Sequence, residues 1–144
     1  MNPSELLRQT RVEVAPESFF LISMRYEDWL KLLENPELSP RGTAPFMILR
    51  DAYEITLLLD EVDYGTIRHM VRDAKTEGVF RMLTFNIELN WDVFGYFALI
   101  SKILAEAEIP FGAVSAFSRD HLLIKQQDLP KALKVLGKYV AELC

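Results

Sequence analysis

The stretch FGAVSAFSRDHLLIKQQDLPKALKVL, residues 111–136, holds two strand patterns and one helix pattern in succession. An apolar run from Phe111 leads to the polar corner Ser118, Arg119 and Asp120, and a second apolar run follows at residues 122–124. After Asp128, apolar residues recur at helical spacing: Leu129, Ala132, Leu133, Leu136 and Val140. The pattern predicts a hairpin and a helix that Asp128 caps. A lone carboxylate at the corner suits holding a cationic group better than performing chemistry.

The residues before this stretch complete a module. Apolar and polar residues alternate over 83–89, which predicts a strand with one buried face. A turn at 90–92 leads into a predicted helix over 93–107 that is apolar on most sides. We expect this helix to pack on a sheet and also on something else, such as another subunit. The order βαββα predicts an α+β sandwich, with an antiparallel sheet and helices on one face.

The first half of the chain follows a similar plan. We predict strands at 19–24, 46–49 and 55–59, and a helix over 26–33 with Trp29, Leu30 and Leu33 on one face. A second helix is predicted over 64–75, closed by Gly78, and residues 35–44 are predicted to be a loop. These patterns place a boundary near Gly78 and divide the chain into modules 1–77 and 78–144.

Composition excludes several classes of function. The chain has 144 residues, half of them hydrophobic, and a formal net charge of −5. Its Lys and Arg residues form no cluster, which argues against nucleic-acid binding. The apolar runs are shorter than the roughly 20 residues that span a bilayer, and the polar start argues against a secretory signal. The single cysteine, Cys144, is expected to lie in a frayed terminus. We therefore expect a cytoplasmic protein.

Catalytic signatures are missing from the sequence. No nucleophile elbow, phosphate loop, dinucleotide fingerprint or metal-ligand spacing is present. His121 beside Asp120 could suggest acid–base work, but we expect a solvent-facing strand residue. The acids within residues 57–63 are expected to form a solvated strand end. We therefore predict a protein that is not an enzyme, with no catalytic residue, no cofactor and no metal.

Three segments resemble a known family. They are FMILRDAYEITLLLDE (46–61), ELNWDVFGYFALISKILAEAEIPF (88–111) and VSAFSRDHLLIKQQDL (114–129). The chain resembles ACT domains, which are βαββαβ modules that bind amino acids in regulatory proteins. It is most similar to the ACT-like modules of CASTOR-type arginine sensors and their short prokaryotic and fungal relatives. The resemblance implies two tandem ACT-like, ferredoxin-like modules.

The resemblance also implies a ligand site between modules. The corresponding residues here are Asn90, Trp91, Asp92, Val93, Phe94, Gly95, Pro110, Phe111, Ala116, Phe117 and Asp120. A turn entering a helix offers N–H groups and the positive end of a dipole to a carboxylate. Asp120 would then hold an amino or guanidinium group. Val93 is apolar where arginine-binding modules carry an acid, although the neighbouring Asp92 could substitute.

Each of these residues also has a structural interpretation. Asp120 could be a turn residue that bonds its own backbone, and Asp92 could be a helix N-cap. Gly95 inside a helix would cost about 1 kcal/mol relative to alanine, which close packing could offset. Phe117 and Trp91 could belong to a core or an interface.

Taken together, the sequence predicts a non-catalytic regulatory or sensor protein of the ACT type. It would bind an amino acid at a module or subunit interface, form a homodimer and report to a regulated protein partner. One alternative is a protein–protein interaction or scaffold module that has lost its ligand. Another is an enzyme subunit that supplies a regulatory domain in trans.

Overall fold

The computed structural model describes residues 2–40, 42–71 and 73–144. In chain order the elements are α1 (Pro3–Arg8), β1 (Arg11–Val14), β2 (Phe19–Met24), α2 (Tyr26–Leu33), β3 (Met47–Arg50), β4 (Ile55–Asp60), α3 (Glu61–Ile67), β5 (Lys75–Asn86), α4 (Tyr96–Glu106), β6 (Phe111–Ser115), β7 (Asp120–Lys125), α5 (Leu129–Leu136) and β8 (Glu142–Leu143). Single 3₁₀ turns occupy Pro36–Leu38, Arg68–Met70 and Gln126–Asp128.

The chain forms two compact units. The central unit is Glu17–Val79, and the discontinuous unit joins residues 2–16 to Phe80–Cys144. The boundary near residue 78 is close to the predicted one, but residues 2–16 do not group with the first half. They join the second half because β1 pairs antiparallel with the end of β5 and buries Val12 completely.

The central unit has an antiparallel arrangement in which β4 pairs with both β2 and β3. One face of these strands packs on the helices through the core residues Ile22, Met24, Leu32, Ile55, Leu57, Leu59, Ile67 and Val71. The structure places β2 and α2 at the predicted residues. The buried face of α2 differs from the prediction, since Leu32 is buried and Leu33 is 56% exposed.

The end of β4 departs from the sequence prediction. The predicted helix 64–75 is instead α3, which begins at Glu61 because Asp60 caps it. Lys75 and Gly78 lie in β5 and not in or after a helix. Asp60 and Asp63 are buried rather than solvated, and the Asp60 carboxylate accepts a hydrogen bond of 2.9 Å from the Asp63 N–H. The acids predicted to be a solvated strand end therefore include a helix cap.

The discontinuous unit contains the predicted order βαββα as β5, α4, β6, β7 and α5. Its strands lie in the order β6, β7, β5, β1, β8, and the β1–β8 pair is parallel, so the sheet is mixed and not wholly antiparallel. The helices share one core with the sheet. We expected α4 to pack on a second surface besides the sheet, such as another subunit, and α1 of the same chain provides part of that surface. Cys144 is not frayed, because its N–H donates to the Val12 carbonyl at 2.8 Å.

Candidate functional site

A cavity of about 280 Å³ opens in the discontinuous unit between the connection that follows β5, the start of α4 and the β6–β7 corner. We call it the Asp120 cavity. Its lining residues are Leu89, Asn90, Trp91, Val93, Gly95, Tyr96, Phe97, Ala98, Ser115, Ala116, Phe117, Ser118, Arg119 and Asp120. Cavities for drug-sized ligands usually measure about 300–1,000 Å³, and this one lies just below that range, which suits a smaller molecule such as an amino acid.

The cavity brings together most of the residues that the sequence singled out. Seven of them line it: Asn90, Trp91, Val93, Gly95, Ala116, Phe117 and Asp120. The site was expected at an interface between modules or subunits. The described walls, however, all come from the discontinuous unit.

Four predicted residues do not line the cavity. Asp92 and Phe94 alternate with lining residues along the connection. Pro110 and Phe111 lie at the far end of β6, because Phe111 pairs with Ile124 whereas the cavity lies at the Ser115–Asp120 end. Four residues of strand span roughly 13 Å, so the length of β6 separates Phe111 from the corner. The Phe111 ring instead packs behind the cavity on the lining residue Phe97, with ring centroids 6.0 Å apart.

The start of α4 forms one wall. Gly95 is its N-cap, with φ of 85°, and the helix begins at Tyr96. Asp92 is therefore not the cap, and Gly95 lies before the helix instead of inside it. A Cβ atom at Gly95 would lie 3.2 Å from Cγ of Pro3 and would be strained at this φ. The first N–H groups of a helix have no acceptor within it, and glycine has no side chain to provide one.

Asp120, the first residue of β7, also lines the cavity. Its Oδ1 accepts a hydrogen bond of 3.0 Å from the Ser115 hydroxyl, across the last pair of the hairpin. If Asp120 were a turn residue that bonds its own backbone, its carboxylate would accept from a nearby backbone N–H. The observed hydrogen bond comes from the Ser115 side chain instead. His121 follows Asp120 but is half-buried and not solvent-facing, with Nδ1 located 2.9 Å from the Thr84 hydroxyl.

Arg119 lies beside Asp120 and is held in place from the side of β5. Its Nε donates to Asn86 Oδ1 at 2.8 Å, and its guanidinium lies 3.7 Å from Glu88 Oε1. The corner itself is closed by a hydrogen bond of 2.9 Å from the Ala116 N–H to the Arg119 carbonyl. These contacts fix a cation and an anion next to each other at one edge of the cavity.

The carboxylate of Asp120 influences two neighbouring titratable groups. Burial raises the pKa of Tyr96 to about 12, and the charge of Asp120 adds to that rise. Burial lowers the pKa of His121, while Asp120 acts to raise it and Arg119 to lower it. The cavity therefore holds a negative charge close to a buried hydroxyl and a half-buried imidazole.

Two aromatic side chains stand at the mouth of the cavity. Trp91 is 83% exposed and Phe117 is 84% exposed, so neither is a core residue in this chain. Their ring centroids lie 6.5 Å apart with the planes at 62°.

Seven lining residues lie outside the predicted site: Leu89, Tyr96, Phe97, Ala98, Ser115, Ser118 and Arg119. Five of these, Leu89, Tyr96, Ser115, Ser118 and Arg119, are sequence neighbours of predicted residues. Tyr96, Phe97 and Ala98 form the first turn of α4, whose start was predicted at residue 93.

Two further cavities lie in the central unit. One of about 700 Å³ is bounded by the end of β2, the start of α2, the β3–β4 corner and residues 73–77. The other, of about 280 Å³, is mainly apolar and lies among α2, α3 and the strands. Within the part of the chain that the structure describes, no group of three or more His, Cys, Asp or Glu side chains could hold a metal ion. The helices among these described residues are too short or too polar to span a membrane.

The fold and part of the sequence match known proteins. Residues 75–138 match the family model of the ACT domain. A Vibrio cholerae protein of unknown function, described as a possible transport protein, superposes with a TM-score of 0.69 at 19% identity, covering 94% of each chain. An Agrobacterium tumefaciens protein gives 0.70 at 17% identity, covering 94% of this chain and 92% of that one.

A third similar structure has a stated role. The regulatory subunit of aspartate kinase from Thermus flavus superposes with a TM-score of 0.65 at 7% identity, covering 89% of this chain and 95% of that one. No curated protein sequence matches the chain significantly. The match over residues 75–138 supports the ACT family for that part of the chain, and the whole chain has an α+β, ferredoxin-like fold similar to that of the regulatory subunit of aspartate kinase.

Proposed function

We propose that this chain is a non-catalytic regulatory protein of the ACT type that binds a free amino acid in the Asp120 cavity. The observation that carries the proposal is that the first turn of α4 and Asp120 line the same cavity of about 280 Å³. A zwitterion fits this arrangement, with its carboxylate toward the helix start and its ammonium group toward Asp120. The family match over the same residues supports it.

We also propose that the chain is a tandem of two ACT-like modules. The central unit runs β2, α2, β3, β4, α3 and the start of β5, and the discontinuous unit runs β5, α4, β6, β7, α5 and β8. Each is βαββαβ, with β1 added to the second. The larger cavity in the central unit lies at the corresponding place, next to the first helix and the hairpin corner.

Further parts of the proposal concern its partners. We expect a homodimer, because β3 carries two apolar side chains, Ile48 and Leu49, that are 45% and 52% exposed. We also expect a cytoplasmic location and a regulated protein partner. The similarity to CASTOR-type sensors is part of the proposal, and arginine is therefore one of the ligands to test.

A thermal-shift screen of the twenty amino acids tests the function. A ligand at 100 times its Kd adds about 2.7 kcal/mol of stability, which should raise the Tm by several degrees. The variant D120N should abolish the shift while keeping the Tm of the free protein. D92N is the matched control, because Asp92 is a nearby acid outside the cavity lining. A shift that survives D120N unchanged would reject the site.

A second candidate function is an interaction module without a ligand. The exposure of Trp91, Phe94 and Phe117, at 83%, 88% and 84%, favours it. A screen in which no amino acid changes the Tm would support this candidate over the sensor. The regulatory domain of an enzyme supplied in trans remains the third expectation, and co-purification with a catalytic subunit would test it.

A further inference from the structure

The Asp120 cavity is lined by two chemically different groups of residues. Asp120, Arg119 and the first turn of α4 provide charge and free N–H groups, and Trp91 and Phe117 provide two neighbouring aromatic rings that are exposed at its mouth. Aromatic side chains normally bury about 150–250 Å² each, yet these two are more than four-fifths exposed. A pair of exposed rings on a concave surface gains most from contact with an apolar group.

Asp120, Arg119 and the start of α4 can bind the two charges of a zwitterion, and no further charged residue lines the described part of the cavity. The ligand's ammonium group would use Asp120, and its carboxylate would use the start of α4 and Arg119. Among the described residues that line the cavity, Asp120 is the single carboxylate. A ligand with a cationic side chain would therefore lack a second anion there, and burying an uncompensated charge is costly.

The other lining residues carry no charge: Asn90, Ser115 and Ser118 are polar, and most of the rest are apolar. Leu89, Val93, Phe97, Ala98 and Ala116 lie among the lining residues together with the two aromatic rings. An acidic side chain would also find a poor site, because Arg119 is the single cationic side chain among the described lining residues and the ligand's own carboxylate would use it; Glu88 Oε1 also lies 3.7 Å from that guanidinium.

We infer that the Asp120 cavity selects an amino acid with an apolar or aromatic side chain, and that Trp91 and Phe117 hold that side chain. This inference rests on the proposed function and names its ligand class. It departs from arginine, the ligand that the resemblance suggested.

Binding of individual amino acids to the full chain tests the inference. In a W29F background Trp91 is the one remaining tryptophan, so its fluorescence should change as ligand is added. We expect leucine, methionine or phenylalanine to bind at least roughly tenfold more tightly than arginine, lysine or glutamate. Isothermal titration calorimetry supplies the same ratios for variants that lack Trp91.

Three variants separate the roles of the aromatic residues. F117A and W91A should each weaken binding of the apolar ligand by roughly five- to tenfold. F94A is the matched control, because Phe94 is as exposed as Phe117 but does not line the cavity, and its Kd should equal that of the parent. Sedimentation velocity should show the same oligomeric state for all three.

The outcomes distinguish this inference from the proposed function. Tightest binding of a basic or acidic amino acid, abolished by D120N, would overturn the inference and leave the proposed function intact. An absence of binding by any amino acid would overturn both. If W91A and F117A changed the oligomeric state without changing the ratio of affinities, the two rings would form an interface and the inference would be wrong.

Discussion

The hydroxyl oxygens of Thr10 and Tyr96 lie 2.6 Å apart in the interior of the discontinuous unit. Thr10 is fully buried and Tyr96 is 3% exposed. The Thr10 hydroxyl also donates to the Leu6 carbonyl at 2.8 Å. Because a hydroxyl has one proton, Tyr96 donates to Thr10. This bond ties the segment before β1 to the first residue of α4, at the wall of the candidate site.

Removing either hydroxyl should destabilise the protein to a different extent. T10V leaves the buried Tyr96 hydroxyl without its acceptor and removes one of the two hydrogen bonds to the Leu6 carbonyl, which still accepts from the Gln9 N–H at 3.1 Å, and should cost about 2 kcal/mol. Y96F removes one donor and leaves the Thr10–Leu6 bond in place, so it should cost about 1 kcal/mol. Urea denaturation measures both values. Y53F, at a side chain that is 91% exposed, is the control and should change little. A larger loss for Y96F would contradict the assigned donor.

Tyr96 should make stability fall at high pH. Its pKa is raised from 10.0 to about 12, so the unfolded chain loses this proton first. Its contribution to the free energy of unfolding is fully present below pH 10 and is lost as the pH rises through 12. The deficit of Y96F relative to the parent should therefore shrink between pH 9 and 11.5 in denaturation experiments. A constant deficit over this range would argue against a raised pKa.

His121 should have the opposite dependence at mildly acidic pH. Burial lowers its pKa below 6.5, so the folded state favours the neutral imidazole. Its contribution is present above pH 6.5 and is lost as the pH falls through the lowered pKa. The free energy of unfolding of H121N should change less between pH 7.5 and 5 than that of the parent protein. An NMR titration should also show a further decrease in the His121 pKa in D120N, because Asp120 acts to raise it. An increase in D120N would contradict this.

Two Gly→Ala substitutions should have opposite effects. G95A places a Cβ at φ of 85° and should destabilise the protein by about 1–2 kcal/mol. G65A lies within α3, where an added Cβ has no atom within 4 Å, and should stabilise by up to about 1 kcal/mol. Thermal and chemical denaturation measure both. Equal effects at the two positions would mean that the backbone at Gly95 is not constrained.

Two aspartates at helix N-caps should contribute different amounts to the free energy of unfolding. Asp60 accepts a hydrogen bond from the Asp63 N–H, whereas Asp128 is an N-cap without a side-chain cap hydrogen bond. D60A should therefore cost about 1–2 kcal/mol, and D128A should cost less than about 0.5 kcal/mol. D60N should recover part of the loss, since asparagine is also a good cap. A large loss in D128A would reveal a cap that this geometry lacks.

Local sequence patterns predicted the elements well where the hydrophobic periodicity and the turn residues indicate the same element ends. β2 and α2 have the predicted ends, and the hairpin and helix of residues 111–136 are present. The helix ends were predicted less well, because the capping residue decides where a helix begins and the apolar period alone does not. After β4, the Asp60 carboxylate accepts a hydrogen bond from the Asp63 N–H, and α3 starts three residues earlier than predicted. At α4, a left-handed Gly95 delays the start to Tyr96.

By itself, the sequence determined the alternation of strands and helices, because hydrophobic period and turn residues are local properties. Together with the family resemblance, it also predicted seven of the fourteen described residues that line the Asp120 cavity. Only the tertiary structure decided that residues 2–16 join the second half, that the β1–β8 pair is parallel, and that Asp92, Phe94, Pro110 and Phe111 do not line the cavity. Strand partners and side-chain directions depend on long-range packing. A strand pattern shows that a partner is needed and does not say which strand supplies it.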